Sequence, residues 1–279
     1  MKGTAPENSS KNLSTEAGKA QEVFRRVETK YVLTPSEFQN LLKAIAPFIK
    51  KDRYFKSTNC SVYYDTDARY LAIHSLEKPL YKEKIRIRSY NIPKSLSDPI
   101  FIEIKKKYNG IGNKRRITTT LRDFYEYEKT GELKTDNPQI KAELDHCFNF
   151  YNLKPALYVA YDRLSFAGKN DKNFRLTFDH NVRSREDNLR LELGDKGEKY
   201  FENGEIVMEV KVLNAYPLWF TKALSYLKIY PASFSKYGRI YEKRLKSLAP
   251  QPALKTVYQN LEEPISNQAI NCLERKNYV

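Results

Sequence analysis

The 279-residue sequence has little of several things that usually announce a function. It has three cysteines, three histidines, two methionines and one tryptophan. Cys60, Cys147 and Cys272 are far apart and form no Cys-x-x-Cys pair or Cys/His cluster, which argues against a disulfide framework and against a zinc site. No apolar run approaches the roughly 20 residues that cross a bilayer. The opening residues, MKGTAPENSSKNLSTEAGKAQ, lack the apolar stretch of a secretory signal, so a reduced, cytoplasmic setting is the expectation. No 20- to 50-residue period recurs, which argues against a solenoid. What is abundant is aromatic and basic. The 21 Tyr and 14 Phe imply a packed core, and 49 Lys plus Arg against 34 Asp plus Glu leave a net charge of +15. That excess points to a polyanionic partner: nucleic acid, a membrane surface or phosphate.

Residues 1–21 read as a flexible lead, 22–249 as one folded unit, and 250–279 as a weakly patterned tail. Strands are expected at 23–33, 60–65, 82–90, 99–108, 113–121, 154–166, 173–182 and 206–213. Thr34-Pro35 marks the start of a helix to about Lys50, with Phe38, Leu41, Leu42, Ile45 and Phe48 at helical spacing. Further helices are expected at 121–130, 138–150, 215–228 and 235–247.

Alternate residues of a strand face opposite sides, and here the two faces differ sharply. Lys82, Lys84, Arg86 and Arg88 share one face while Ile85 and Ile87 share the other. Phe101, Glu103, Lys105 and Lys107 oppose Ile100, Ile102 and Ile104. Lys114 and Arg116 point together, and Val207, Glu209 and Lys211 oppose Met208, Val210 and Val212. Any one such strand describes an ordinary sheet with a solvated face. Residues 82–122, however, hold twelve Lys/Arg and three Asp/Glu. Like charges on neighbouring strands destabilise a sheet unless a polyanion occupies that side. Glu-x-Lys recurs at Glu28/Lys30, Glu103/Lys105 and Glu209/Lys211. These are either local ion pairs or the few carboxylates that let a divalent metal sit among phosphate-binding cations.

The segments RRVETKY (25–31), KIRIRSY (84–90), FIEIKKK (101–107), NKRRI (113–117), YDRLSF (161–166), FRLTFD (174–179), VMEVKV (207–212) and SFSKYGR (233–239) together resemble the VTC polyphosphate polymerase branch of the triphosphate tunnel metalloenzyme superfamily. The resemblance implies an α+β fold in which an antiparallel β-barrel forms a tunnel with a basic lumen and helices pack on the outside. It implies transfer of the terminal phosphoryl group of ATP to a growing inorganic polyphosphate chain. Lys30, Arg86, Arg88, Lys105, Arg163, Arg175 and Lys236 would be the catalytic cations, and Lys84, Lys114, Arg116, Lys211 and Ser235 would bind substrate. Glu209 would hold Mn²⁺ or Mg²⁺, with Glu28 and Glu103 as further metal candidates.

Hydrolytic tunnel enzymes open with Glu-x-Glu-x-Lys, whereas this chain reads Arg26-Val27-Glu28-Thr29-Lys30. Arginine at 26 removes a metal ligand and adds a phosphate ligand, which favours a polymerase. Hydrolysis of inorganic or nucleoside triphosphate is the alternative, and a basic nucleic-acid-binding module is a third reading. The expected partners are ATP and inorganic polyphosphate, with no nucleic acid; a membrane protein that receives the product is compatible with this. His74, His146 and His180 fall outside the motifs and read as structural or surface residues.

Overall fold

The structure is a computed structural model and describes residues 26–248; the expected lead, residues 23–25 of the first expected strand, and the tail lie outside the described residues. Along the chain come β1 (Arg26–Leu33), α1 (Pro35–Ile45), β2 (Ile49–Asp65), α2 (Tyr70–Leu76), β3 (Tyr81–Tyr90), β4 (Pro99–Tyr108) and β5 (Ile111–Thr120). Then follow α3 (Leu121–Thr130), α4 (Pro138–Tyr151), β6 (Lys154–Gly168), β7 (Arg175–Arg185), a short 3₁₀ turn (Leu191–Leu193), β8 (Glu198–Lys199), β9 (Ile206–Leu213), α5 (Leu218–Tyr226) and α6 (Lys236–Leu248). The fold is α+β, with every strand pairing antiparallel.

Local chemistry sets the helix starts. Thr34 caps α1 in a reciprocal box: its hydroxyl accepts from the Glu37 N–H, and the Glu37 carboxylate accepts from the Thr34 N–H at 2.7 Å. Thr120 and Asn137 cap α3 and α4 in the same sense, through the N–H groups of Asp123 and Ile140.

The strand order is β1-β9-β7-β6-β2-β3-β4-β5, with β8 beside β7. The expected closed barrel is therefore corrected: β1 and β5 are the two edges of an open path and do not pair. Both edges carry cations, Lys30 on β1 and Lys114-Arg115-Arg116 on β5, and charged edges resist pairing. The sheet nonetheless curls strongly. Lys105 on β4 comes within 3.9 Å of Glu28 on β1, from near one edge to the other.

The convex face is apolar and covered in two halves. Under α3 and α4 lie Ile85, Ile87, Ile102, Ile104 and Ile117 with Phe124 and Leu144. Under α1 and α5 lie Tyr31, Met208, Val210, Leu176 and Phe178 with Leu41 and Phe220. The expectation that helices cover the outside holds for these four and fails for α6. Tyr237 and Ile240 of α6 pack with Ala72 of α2 onto Tyr63, Leu157, Val159, Tyr161 and Val207, which belong to the concave face. Tyr237 stacks on Tyr63 with ring centres 4.7 Å apart. One end of the curl is thus filled by α6, because the concave residues there are apolar where those further along are charged.

Candidate active site

Strand alternation and register place Lys30, Lys84, Arg86, Arg88, Lys105, Lys114, Arg116, Arg163, Arg175 and Lys211 on the concave face, with Lys236 entering from the first turn of α6. With Lys82 and Lys107, which share this face of β3 and β4 by the same register, thirteen cations face four carboxylates, Glu28, Glu103, Asp179 and Glu209, so the interior carries a net positive charge that a bound anion would balance.

Glu103, whose side chain is 2% exposed, sits at the centre of one cluster. Its Oε2 accepts from Arg86 Nε at 2.8 Å and Nη2 at 2.6 Å; its Oε1 accepts from Lys114 at 2.6 Å and from Arg116 Nε at 2.9 Å and Nη2. Burial would raise its pKa, but Arg86, Arg88 and Lys114 outweigh that and hold it well below the usual carboxylate range. Both oxygens are saturated by cations, so Glu103 orients three side chains of the concave face.

Asp179 does the same on β7. Completely buried, it takes Arg163 through both oxygens at 2.6 and 2.8 Å, and its Oδ2 also accepts from Lys236 at 2.5 Å. The guanidinium of Arg163 and the ammonium of Lys236 both lie over the ring of Tyr161, at 5.2 and 4.3 Å from its centre.

The third cluster interleaves two carboxylates with Lys30 and Lys211, and Lys105 of β4 reaches Glu28 as well. Lys30 approaches Glu28 at 3.5 Å and Glu209 at 3.9 Å; Lys211 approaches Glu209 at 2.7 Å and Glu28 at 3.8 Å. Burial disfavours the charged form of Glu209, yet Lys211, Lys30 and Arg163 keep it ionised. Two carboxylates on one wall suit Mg²⁺ or Mn²⁺, which takes few protein ligands and completes its shell with water and phosphate oxygens. Glu28 and Glu209 fit such an ion. Glu103 is held apart from them by its own cations, and among the described residues no three acidic, His or Cys groups cluster closely enough to form a cage.

Among the described residues, Arg88 and Lys84 form no ion pair with a carboxylate. Arg88 is 6% exposed and donates only to neutral groups, Tyr161 Oη at 2.9 Å and Ser61 Oγ at 3.3 Å. Lys84 donates to Ser235 Oγ at 2.6 Å, and burial, then Lys82, Lys30, Lys105 and Arg86, push its pKa down to about 7. The positive field also reaches Tyr63: although burial raises a phenol, Arg86 and Arg88 overcome it and lower the pKa. Ser235 accepts as well from the Gly238 N–H at 3.3 Å, so it caps α6 and keeps its own hydrogen to donate.

A model of the VTC domain matches residues 25–244. The chain belongs to the VTC domain family. No curated protein matches it. Among solved structures, this VTC chain is similar to a proposed adenylate cyclase from Bacillus halodurans, at 13% identity and a TM-score of 0.47 over 75% of this chain and 93% of that one. A second proposed adenylate cyclase, from Vibrio parahaemolyticus, gives 11% identity and a TM-score of 0.42 over 78% and 98%. The Mimivirus capping enzyme triphosphatase gives 12% and 0.29 over 72% and 88%.

The VTC chain brings together most of the residues singled out in its sequence. Arg175 stands at the exposed start of β7, opposite Lys211, at the end of the trough away from α6. Arg26 opens β1 opposite Leu213. The histidines lie elsewhere: His74 beside Glu77, His146 stacked on Phe150, and His180 edge-on to Phe38. Sequence reasoning missed Asp179, Tyr63, Tyr161 and Ser61. Asp179 closes the FRLTFD segment in step with Arg175 and Thr177, and that spacing of two was the available signal. Of the rings on the basic face, sequence alternation placed Phe101 and missed Tyr63 and Tyr161. Tyr63, Phe101 and Tyr161 are there, beneath Arg86, Arg116 and Arg163.

Proposed function

We propose that this chain is a metal-dependent polyphosphate polymerase, transferring the terminal phosphoryl group of ATP to inorganic polyphosphate inside the curled sheet. The observation that carries this reading is the pair Arg88 and Lys84, which among the described residues form no ion pair and share the concave face with the Glu28/Glu209 pair. Buried cations left uncompensated cost stability, and an extended phosphate chain offsets that cost at several points along its length.

The reaction asks for alignment and charge stabilisation. A terminal oxygen of the polyphosphate attacks the γ-phosphorus, the new P–O bond forms, and the bond to the β–γ bridging oxygen breaks, releasing ADP. The attacking oxygen is already anionic, so no proton need be removed. Arg86 and Arg116, oriented by Glu103, and Arg163 and Lys236, oriented by Asp179, supply fixed donors for charge that develops on the transferring group. Ser235 donates from the start of α6. A Mg²⁺ or Mn²⁺ held by Glu209 with Glu28 would offset charge on the phosphate oxygens.

Hydrolysis of a triphosphate is the second reading, favoured by the nearness of Glu28 to Glu209, since a second carboxylate can order water. Nucleic-acid binding fares worse, because Tyr63 and Tyr161 are 6% and 3% exposed and lie under cations, where bases cannot stack on them. Sizing the products of ATP with Mn²⁺ on a polyacrylamide gel separates the first two. A ladder of condensed phosphate supports polymerisation; phosphate release with no ladder refutes it.

A further inference from the structure

Leu80, Tyr108 and Ile111 form an exposed apolar tip where the β4–β5 hairpin projects. Tyr108 and Ile111 are cross-strand partners across the two-residue turn Asn109-Gly110, whose φ angles of 43° and 82° are those of the tightest hairpin connection. The Asn109 N–H donates to the Leu80 carbonyl at 2.8 Å, which fixes the third residue beside the turn. The three are 67%, 61% and 76% exposed, respectively.

Lysines border this tip. Lys82 and Lys107 are cross-strand partners, and the Lys82 ammonium is lowered by burial and then by Lys107 and Lys78, so the three charges are near neighbours. None of them has a carboxylate partner among the described residues. The acids nearby are engaged, Glu77 by His74 and Glu143 by Lys106 and Arg115.

We propose that this tip docks on an anionic lipid surface, with the three apolar side chains entering the headgroup boundary and Lys78, Lys82 and Lys107 facing lipid phosphates. Three side chains on a narrow turn are too few for a stable protein interface, which buries on the order of 800 Å² per partner. Lysine is also depleted in such interfaces and favoured at anionic membranes. Lys82 reaches the Ser75 carbonyl of α2 at 3.4 Å, so the tip lies at the end of the curl that α2 and α6 fill. Docking there leaves the Arg175 end open. The inference stands on this surface alone and is independent of the reaction proposed above.

The test is co-sedimentation of the whole chain with vesicles of phosphatidylcholine alone or mixed with phosphatidylglycerol. The chain is expected to pellet with the mixed vesicles only. A Leu80→Ser/Tyr108→Ser/Ile111→Ser variant with an unchanged circular dichroism spectrum should partition at least about tenfold more weakly. Lys78→Glu/Lys107→Glu should do the same. Lys222→Glu/Lys228→Glu, an equal change of charge on and beyond α5, should cost less than about twofold. Equal binding to both vesicle types, no binding, a triple variant that binds like the parent, or a control pair that weakens binding as much as the tip pair overturns the proposal. So does a parent that light scattering finds dimeric and a triple variant that it finds monomeric, which would make the tip a contact between copies.

Discussion

Asp179 on β7 grips Arg163 on β6 by two hydrogen bonds of 2.6 and 2.8 Å, and no part of that carboxylate is exposed. The same group reaches Lys236, so one buried charge aligns an arginine of the wall with the first residue of the helix that fills the trough. Asp179→Ala strands two cations that remain mostly buried. It is expected to lower unfolding free energy by about 3–5 kcal/mol, read from the shift of a urea midpoint at constant slope. A midpoint within the error of the parent would show that the pair is not coupled to folding.

Acid should weaken the chain through its concave carboxylates. Burial raises the pKa of Glu103, Asp179 and Glu209, but the cations around each outweigh it and hold all three below the usual value. Groups depressed in the folded state contribute fully above the unfolded pKa, near 4, and the contribution is lost as pH falls through the folded values. Urea midpoints at constant ionic strength should therefore be flat through neutrality in this respect and drop below about pH 4. Glu103→Gln/Asp179→Asn/Glu209→Gln should flatten that drop.

Lys84 gives a slope of the same sign in a higher pH window, but from a penalty on its charged form. Its folded pKa is depressed to about 7, so between that value and the unfolded value near 10.4 the unfolded chain binds the extra proton. Stability from this group therefore rises with pH across that window, and the penalty for a charged Lys84 is present in full below it. An anion favours the charged form, so triphosphate binding at pH 8 should take up a proton. Titration calorimetry in buffers of differing ionisation enthalpy measures it, and Lys84→Met should abolish the uptake. Equal apparent enthalpies in every buffer for the parent would contradict the assignment.

The two kinds of glutamate should separate experimentally. Glu209→Gln is expected to weaken Mn²⁺ binding by at least about tenfold, measured by electron paramagnetic resonance of free Mn²⁺. Glu103→Gln should leave Mn²⁺ affinity nearly unchanged while weakening triphosphate binding, because Arg86, Lys114 and Arg116 lose their common anchor. Equal metal loss in both variants would show that Glu103 belongs to the metal site.

Much of this arrangement was legible in the sequence. The alternation of Lys84, Arg86 and Arg88 with Ile85 and Ile87 gave both the strand and its two faces, because a period of two survives any tertiary context. Thr34-Pro35 marked α1 for an equally local reason. The rest depended on distance. β2 runs from Ile49, not Cys60, since Lys50–Asn59 is largely solvated and has no apolar alternation. α2 escaped notice because Arg69 caps it in the left-handed region without a side-chain bond, and Leu71, Ala72, Ile73 and Ser75 are all buried, which erases a helical stripe. The open edges, the entry of α6 into the curl, and the sharing of Asp179 between Arg163 and Lys236 are properties of pairing between remote segments. No window of sequence contains them.

The phosphorus-31 spectrum of the whole protein incubated with ATP and Mn²⁺ tests the central claim most directly. Growth of the resonance of internal phosphates in condensed chains, with ADP appearing in step, is the result expected. ADP accompanied only by orthophosphate would contradict it.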